Sequence, residues 1–144
     1  MMTTGEIADR MAITEAIYRY CRAMDRIDAE LGHSVWHEDG EADYGAIYRG
    51  SARGSVDWAC VAHRTMLATS HRVTNVLVTL DADRAASESY VVATLRRMDG
   101  SRLVQTSAWG RYVDRWSRRE GRWAIDRRNY VHDFDEVREI META

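Results

Sequence analysis

The second half of the chain alternates apolar and polar residues over long segments that are separated by very short turn sequences. This pattern predicts strands over residues 71–80, 86–97, 103–116 and 123–132. The connections between these strands are Asp81-Ala-Asp83, Met98-Asp-Gly-Ser101 and Arg119-Glu-Gly121. Because connections this short join antiparallel neighbours, the sequence predicts a meandering antiparallel sheet.

The first half of the chain has the spacing of helices. Thr3 and Glu6 predict a capping box at the start of a helix that extends to about Arg26. Further helices are predicted over residues 28–37 and 51–68. Between them, residues 38–45 are typical of a turn and residues 43–49 are predicted as a short strand. A last short helix is predicted over residues 135–142.

Helices followed by an antiparallel meander indicate the α+β class. The sequence therefore predicts a curved, mixed but mostly antiparallel sheet that wraps around the N-terminal helices and encloses a pocket. With 144 residues, the chain is expected to form one domain over residues 1–144.

All 20 basic residues of the chain are arginine, because the sequence contains no lysine. A chain without lysine cannot form a lysine Schiff base, hold pyridoxal phosphate covalently or use a P-loop lysine. A positive charge in any site must therefore come from arginine or from a protonated histidine. The absence of lysine can also reflect only an arginine-biased genome.

The net charge predicts neither nucleic-acid nor membrane binding. It is −3, with an isoelectric point near 5.9, which gives no global attraction to nucleic acid or to anionic lipid. The acidic N-terminus differs from a signal peptide, and no apolar run approaches the ~18 residues of a membrane span. Cys21 and Cys60 lie far apart and are expected to be buried thiols, so we predict a cytoplasmic protein.

Asp25 and His71 are the first candidates for acid–base chemistry. Asp25 ends the first helix, where the helix dipole disfavours a carboxylate that lacks a partner. His71 opens a strand and, by simple alternation, shares a face with Asn75. If Asp25 and His71 meet, the carboxylate fixes the imidazole tautomer and leaves the other ring nitrogen as a base. The alternative is a structural histidine and an aspartate that faces solvent beside Arg22 or Arg26.

Other candidates are aromatic or histidine side chains. Trp58 and Trp109, together with Asn75, are predicted to line a substrate pocket, although large core residues explain the same aromatic pattern. His33 and His37 have HxxxH spacing, but the residues after them are typical of a helix end, so no metal site is predicted. The sequence has no glycine-rich phosphate loop or nucleophile elbow, and we predict no cofactor.

The strand that begins at His71 is apolar on both faces. By alternation, one face carries His71, Val73, Asn75 and Leu77, and the other carries Thr74, Val76, Val78 and Leu80. The second face is too apolar for water. It therefore predicts contact with another copy of the chain, as a homodimer or a homotrimer, through the outer face of the sheet.

Four segments carry a resemblance to a known family: YRYCRAMDRID, SVWHEDGEADYG, SHRVTNVLVTLDADRAASESY and RYVDRWSRREGRWAIDRRNYVHDF. Together they resemble the SnoaL-like branch of the nuclear transport factor 2-like superfamily over nearly the whole chain. The resemblance implies a cone-shaped α+β fold with an internal pocket. That fold is used by dehydratases, cyclases, isomerases, a dehydrochlorinase and non-enzymatic modules, so the fold alone does not define the activity.

The resemblance also implies roles for particular residues. Scytalone dehydratase, bile-acid 7α-dehydratase and hexachlorocyclohexane dehydrochlorinase share an aspartate on the first helix and a histidine on the sheet. These two residues fall on Asp25 and His71. The last-strand arginine of the bile-acid enzyme and the dehydrochlorinase falls on Arg128. A further position of the site is tyrosine in the bile-acid enzyme and lysine in the dehydrochlorinase. It falls on Tyr20 here, so the resemblance favours a dehydratase-like site over a dehydrochlorinase-like one.

The arginine assignment conflicts with simple alternation. Trp123 and Ile125 are expected to face the core, and alternation then places Arg127 on their face instead of Arg128. Arg128 therefore needs a β-bulge, or a differently oriented wall, to face the pocket.

Our leading hypothesis is a cofactor-independent lyase that removes water from a small, hydrophobic, hydroxylated cyclic substrate. His71 is the predicted base and Asp25 orients it. Tyr20 binds the carbonyl or the leaving hydroxyl, and Arg128 with Asn75 stabilises negative charge. The same residues suit an isomerase or a cyclase. A non-catalytic module that binds a small ligand or mediates assembly, and a small subunit of an oxygenase, stay open as alternatives.

Overall fold

The computed structural model describes residues 1–141, which form three helices and six strands. The helices are α1 (Thr4–Arg26), α2 (Ala29–Ser34) and α3 (Ala52–Arg64). The strands are β1 (Trp36–Asp43), β2 (Arg49–Ser51), β3 (Ala68–Asp81), β4 (Arg84–Asp99), β5 (Arg102–Arg119) and β6 (Arg122–Glu139). No helix within residues 1–141 has the length and apolar character needed to cross a membrane.

The six strands form one curved, unclosed sheet in the order β2-β1-β6-β5-β4-β3. Only the β1–β6 pair is parallel, and the other four pairs are antiparallel. The long strands β3 to β6 are the predicted meander, and the helices lie on the concave face of the sheet. The predicted α+β class and the mixed, mostly antiparallel sheet are therefore confirmed.

Helix α1 provides most of the cover for the concave face. Its start is the predicted capping box, in which Thr3 and Glu6 satisfy each other's backbone N–H groups. Its apolar stripe packs on β3 and on the sheet interior, with Ile13, Ile17 and Met24 almost fully buried. Burial of each such side chain contributes about 1.5–3 kcal/mol of transfer free energy, so this stripe fixes α1 on the sheet.

The predicted hairpins form at the expected places because their turn residues accept positive φ angles. Gly100 (φ +61°) lies between β4 and β5, and Glu120 (φ +51°) and Gly121 (φ +76°) lie between β5 and β6. Two successive residues with positive φ form the type I′ turn that suits the twist of a hairpin.

The prediction for residues 28–43 was wrong in part. The second helix ends at Ser34 instead of residue 37, and β1 includes residues 38–43, which were predicted as part of a turn. The predicted strand over residues 43–49 is mostly the connection from β1 to β2. The segment WHEDGEAD is poor in residues that favour strands, and its structure comes from parallel pairing with β6, which lies far away in the sequence.

The predicted C-terminal helix over residues 135–142 is also wrong for the described residues. Strand β6 continues to Glu139, because Asp135 pairs with Ala108 and Glu139 pairs with Val104 of β5. The long strand β5 provides a partner that the local sequence of this segment does not reveal. Residue 142 lies outside the described residues.

A β-bulge in β3 overturns the predicted division of its two faces. Thr74 pairs with Tyr90 and Leu77 pairs with Glu88, so Asn75 and Val76 together oppose one residue of β4. Asn75 adopts the left-handed conformation, with φ +54°. Beyond the bulge the alternation is reversed, so that Val76 packs against the core while Asn75 and Leu77 are exposed.

Because of this reversal, the residues of β3 that were predicted to form an outer apolar face lie on the inner side of the sheet. Val78 and Leu80 follow Val76 onto the concave side and pack against the buried core under α1. The residues that looked too apolar for water are therefore covered by the chain's own helix. The argument from these residues for a subunit contact is wrong.

A second bulge, in β6, turns the side chain of Arg128 inward, whereas simple alternation places it on the outer face. In β6, Ile125 pairs with Trp116 and Arg127 pairs with Arg115, so Asp126 is the extra residue. Arg128 then points inward and is fully buried, whereas the Arg127 side chain is exposed. The β-bulge that the family resemblance requires is present.

Candidate active site

A cavity of about 170 Å³ lies between α1, α3 and the concave face of β3 to β6. Its walls are almost entirely aliphatic and aromatic, with a few polar atoms from histidine, tyrosine and serine. Its lining includes the side chains of Tyr20, Tyr44, Trp58, His63, His71 and Tyr112. An apolar cavity with a few convergent polar groups is the usual form of a small-molecule site.

Asp25 and His71 form a close pair at the wall of this cavity. The ring Nδ1 of His71 lies 2.7 Å from Oδ1 of Asp25, and the backbone N–H of His71 donates to both carboxylate oxygens at 2.9 Å. These donors explain how a carboxylate can stand at the C-terminal end of α1 against the helix dipole. The side chain of His71 is 8% exposed, and that of Asp25 is 26% exposed and lines a separate cleft.

The contact with Asp25 fixes the tautomer of His71. A carboxylate only accepts hydrogen bonds, so Nδ1 carries a proton and Nε2 keeps its lone pair. Because His71 lines the cavity, Nε2 is the ring nitrogen left for a molecule bound there. The geometry is that of an imidazole ring held in place by a carboxylate.

A second histidine, His63 on α3, lies beside His71 with 5.3 Å between the ring centroids. Its Nδ1 lies 3.3 Å from the backbone carbonyl oxygen of Met24, to which it donates, so Nε2 is again the acceptor. Burial lowers the pKa of His63, and the neighbouring His71 lowers it further, which favours the neutral imidazole. Sequence analysis did not select His63, although it lies on the apolar stripe of its helix.

A pair of tyrosine hydroxyl groups forms the other polar part of the cavity. The hydroxyl oxygens of Tyr20 and Tyr44 lie 2.7 Å apart. Burial raises the pKa of both groups, so both remain neutral hydrogen-bond donors at physiological pH. Tyr44 was not predicted, because it lies in the short connection between β1 and β2 and nothing in that segment indicates a pocket residue.

Arg128 lies beneath the cavity wall. Its Nε and Nη2 donate to the two carboxylate oxygens of Asp114 at 2.8 Å each, and both side chains are fully buried. Its guanidinium carbon lies 3.7 Å from the ring centroid of Tyr112 and 4.5 Å from that of Tyr20. Arg128 is therefore a fixed cation behind the aromatic rings that line the cavity.

The three residues predicted to bind substrate have different positions. Trp58 of α3 lines the cavity. Asn75 lies in the exposed bulge of β3, outside the cavity lining. Trp109 lies on the outer face of the sheet, where it stacks on Phe134 with 5.4 Å between ring centroids. The bulge places Asn75 outside the cavity lining, and Trp109 lies outside it because Ala108 and Tyr112 occupy the inward positions of β5.

The remaining histidines have structural partners. His33 pairs with Asp57 at 2.8 Å, which joins α2 to α3. His37 is buried in β1 and donates to the carbonyl oxygen of Ser117 at 2.9 Å. Within residues 1–141, no group of three or more histidine, cysteine or acidic side chains is arranged to hold a metal ion.

Comparisons with known proteins agree with this architecture. The SnoaL-like domain family matches residues 5–129. A scytalone dehydratase-like protein from Novosphingobium aromaticivorans is 20% identical, with a TM-score of 0.82 over 94% of this chain and 91% of the other. Hexachlorocyclohexane dehydrochlorinase LinA-type3 from Novosphingobium barchaimii is 20% identical, with a TM-score of 0.79 over 96% and 95% of the two chains.

A third similar structure is that of Rv3472, a protein of unknown function from Mycobacterium tuberculosis. It is 26% identical, with a TM-score of 0.75 over 90% of this chain and 74% of the other. No curated protein sequence matches the chain significantly. Since the family match covers most of the chain and the folds agree over nearly its whole length, this protein belongs to the SnoaL-like family and has the nuclear transport factor 2-like fold.

Proposed function

We propose that this protein is a cofactor-independent lyase that eliminates water from a small, neutral, hydroxylated cyclic ketone. The observation that carries the proposal is the contact between Asp25 and His71 at the wall of an apolar cavity. It supports a base whose tautomer is fixed and whose free nitrogen is available to a bound molecule.

The reaction needs a proton acceptor, and His71 is the proposed one. Its Nε2 takes the proton from the carbon next to the substrate carbonyl, and Asp25 stabilises the imidazolium that forms. The electron pair of the broken C–H bond moves into the carbonyl group to give an enolate, and it returns to form the new double bond as the C–O bond breaks. The hydroxyl group takes the proton from Nε2 and leaves as water, so that His71 returns to its neutral form.

The tyrosine pair is the proposed stabiliser of the carbonyl oxygen. One hydroxyl proton is shared between Tyr20 and Tyr44, which leaves the other free to donate to the oxygen as it gains negative charge. Neutral His63 lies beside His71 and lines the same cavity, so its Nε2 can accept a hydrogen bond from a substrate hydroxyl and orient it.

The dimensions of the cavity support a substrate with one ring. A dry cavity of about 150 Å³ accepts benzene, and the cavity of about 170 Å³ is of similar size. Its lining is almost wholly apolar and contains no unpaired carboxylate or arginine among residues 1–141, which favours a neutral substrate.

The test is a panel of cyclic β-hydroxy ketones incubated with the purified protein, with the ultraviolet absorbance of the enone product as the readout. We expect turnover by the wild-type protein after dialysis against a chelator and none by His71→Ala. A product that keeps all its oxygen would instead support an isomerase or a cyclase. Binding without turnover, equal in both proteins, would support the ligand-binding module and contradict the lyase.

We also propose that the outer face of the sheet contacts another copy of the chain. Trp109 and Phe134 form an exposed stack on this face. Near it, Arg111 lies between Glu88 and Asp133, so the face carries charges of both signs and can pair with itself. Light scattering after gel filtration should show a dimer or a trimer that Trp109→Glu dissociates, while Val61→Glu on the exposed side of α3 leaves it intact. A monomeric wild-type protein would contradict this.

We propose a cytoplasmic location as well. Cys21 and Cys60 are both buried free thiols, which is the usual state of cysteine in a reducing compartment. Fractionation of the source cells, followed by detection of the protein, tests the location.

A further inference from the structure

Two exposed apolar side chains mark the mouth of the cavity beside His71. Most of the described residues that line the cavity are buried or half-buried. Ile47 and Trp58 also line it, yet they are 56% and 45% exposed. A side chain that both lines a cavity and reaches solvent stands where the cavity opens. The mouth therefore lies between Ile47, in the connection from β1 to β2, and Trp58 on α3.

Both sides of the mouth are held by contacts within the chain. The ring of Trp58 packs against that of Tyr48, with 6.3 Å between the ring centroids. The hydroxyl of Tyr48 donates to the backbone carbonyl oxygen of Ser51 at 3.0 Å. The backbone N–H of Tyr44 donates to the carbonyl oxygen of Tyr48 at 2.8 Å, which closes the connection that carries Ile47. Ile47, Tyr48 and Trp58 together form what we call the apolar ledge.

Gly54 provides the space in which this ledge forms. A Cβ atom at residue 54 would lie 2.3 Å from the hydroxyl oxygen of Tyr48 and 3.0 Å from Oγ of Ser51. The first distance is far shorter than any normal contact, so a side chain at this position would displace Tyr48. Residue 54 lies about one helical turn before Trp58 on α3. The absence of a side chain there lets Tyr48 pack against α3 and support Trp58.

The size of the cavity limits what can bind without touching the ledge. A cavity of about 170 Å³ holds about one ring. A larger molecule must extend through the mouth, where it meets the side chains of Ile47 and Trp58. In the part of the chain that the structure describes, the lining includes no acidic residue and no arginine, so the group that passes through the mouth is best uncharged. Exposed apolar side chains that continue an apolar cavity are typical of a ligand-binding groove.

We propose that the ligand of this cavity is a ring with a hydrocarbon chain, and that the chain leaves the cavity between Ile47 and Trp58 and lies on the apolar ledge. These two residues then determine specificity for the chain. The identification of this molecule as the substrate rests on the proposed function. Its binding does not, because binding can be measured without turnover.

The probes are 4-methyl-, 4-propyl- and 4-pentylcyclohexanone, which are one-ring ketones without a hydroxyl group to lose. Isothermal titration calorimetry gives the Kd of each. Full burial of one CH₂ group lowers Kd about fourfold, and a chain on an open ledge is covered on about one side, so we expect about twofold for each added CH₂. From the methyl to the pentyl compound, the Kd of the wild-type protein should therefore fall by roughly 16-fold.

The ratio of the Kd for the methyl probe to that for the pentyl probe is compared between variants. Ile47→Ser and Trp58→Ser should each reduce this ratio to about fourfold or less, because half of the ledge is lost. Ile7→Ser is the matched control, since Ile7 is 44% exposed on α1 and outside the cavity lining, and it should keep the full ratio. Gly54→Ala should also reduce the ratio, although residue 54 is outside the lining, because it displaces Tyr48.

The ratio separates a role in binding the chain from general damage to the fold, which would weaken binding of all the probes alike. His71→Ala should keep the full ratio, so a failure of the lyase proposal leaves this test intact. A wild-type ratio near one would overturn the inference, as would equal ratios in Ile47→Ser and Ile7→Ser. Light scattering of Ile47→Ser and Trp58→Ser should show the wild-type mass. A smaller mass would mean that another copy of the chain covers the ledge, which would also overturn the inference.

Discussion

Two aspartate pairs lie on the concave side of the sheet, and they differ in partner and in access to solvent. In Asp25–His71 the partner can exchange a proton, and the carboxylate is 26% exposed. In Asp114–Arg128 the partner keeps its charge, the contact is bidentate and both side chains are 0% exposed. The same carboxylate group therefore contacts a partner that can gain or lose a proton in one place and a partner of fixed charge in the other.

His71→Gln breaks the first pair and has the largest expected effect on activity. We expect kcat/KM for the elimination to fall by about 10²–10⁴-fold, the usual contribution of a general base. The free energy of unfolding should fall by only about 1 kcal/mol, since one hydrogen bond is lost. Steady-state kinetics and urea unfolding measure the two quantities. His132→Gln is the control, because His132 is exposed and outside the cavity lining, and retained activity in His71→Gln would reject the assignment.

Asp114→Ala breaks the second pair and should act mainly on stability. It leaves Arg128 as a buried charge without a partner, which costs about 3–5 kcal/mol of unfolding free energy. Chemical denaturation followed by tryptophan fluorescence measures this. Glu41→Ala, which removes the exposed partner of Arg127, should change stability little. If Asp114→Ala and Glu41→Ala lost similar amounts of unfolding free energy, burial would not distinguish the Asp114–Arg128 pair from the exposed Glu41–Arg127 pair.

Asp25→Asn sharpens the comparison by keeping the shape of the first pair while removing its charge. The amide stabilises the imidazolium form of His71 less well and can hold the ring in the wrong tautomer. We expect kcat to fall by about 10–100-fold, the range found for groups that orient metal-bound histidines. The loss should be smaller than for His71→Gln in the same assay. An unchanged kcat would mean that Asp25 only anchors the end of α1.

The smallest expected effect is a dependence of stability on pH that comes from His63. Burial and the neighbouring His71 lower its pKa in the folded protein below the ordinary value of 6.5. The unfolded chain therefore binds a proton first as the pH falls, and the folded state loses stability from about pH 6.5 down to the folded pKa. Unfolding free energies at pH 7.5 and 5.5 should differ less in His63→Gln than in the wild-type protein. An equal difference would contradict this assignment.

Local features of the sequence were sufficient for the meander and for half of the candidate site. The turns at Gly100 and Gly121 depend on residues within a few positions of each other, and the capping box at Thr3 spans a single helical turn. Asp25 and His71 were found because each ends or begins a predicted element. Their contact joins α1 to β3. From the sequence one could say only what would follow if the two residues met, not that they do.

Pairing between distant segments decided the rest. The pairing of β1 with β6 converted a predicted turn into a strand, and β5 extended β6 through the residues predicted as a helix. The bulges at Asn75 and Asp126 reversed the alternation that sequence reasoning relies on. One bulge removed Asn75 from the site, and the other placed Arg128 beneath it.

The sequence by itself determined the start of α1, the hairpin turns of the meander and the residue types available, including arginine as the only basic side chain besides histidine. Only the tertiary structure decided that Tyr44 and His63 join the site and that Arg128 lies behind it. The physical reason is the range of the interactions. Turns and caps depend on neighbours in sequence, whereas bulges and cavities depend on register between strands that the chain brings together only on folding.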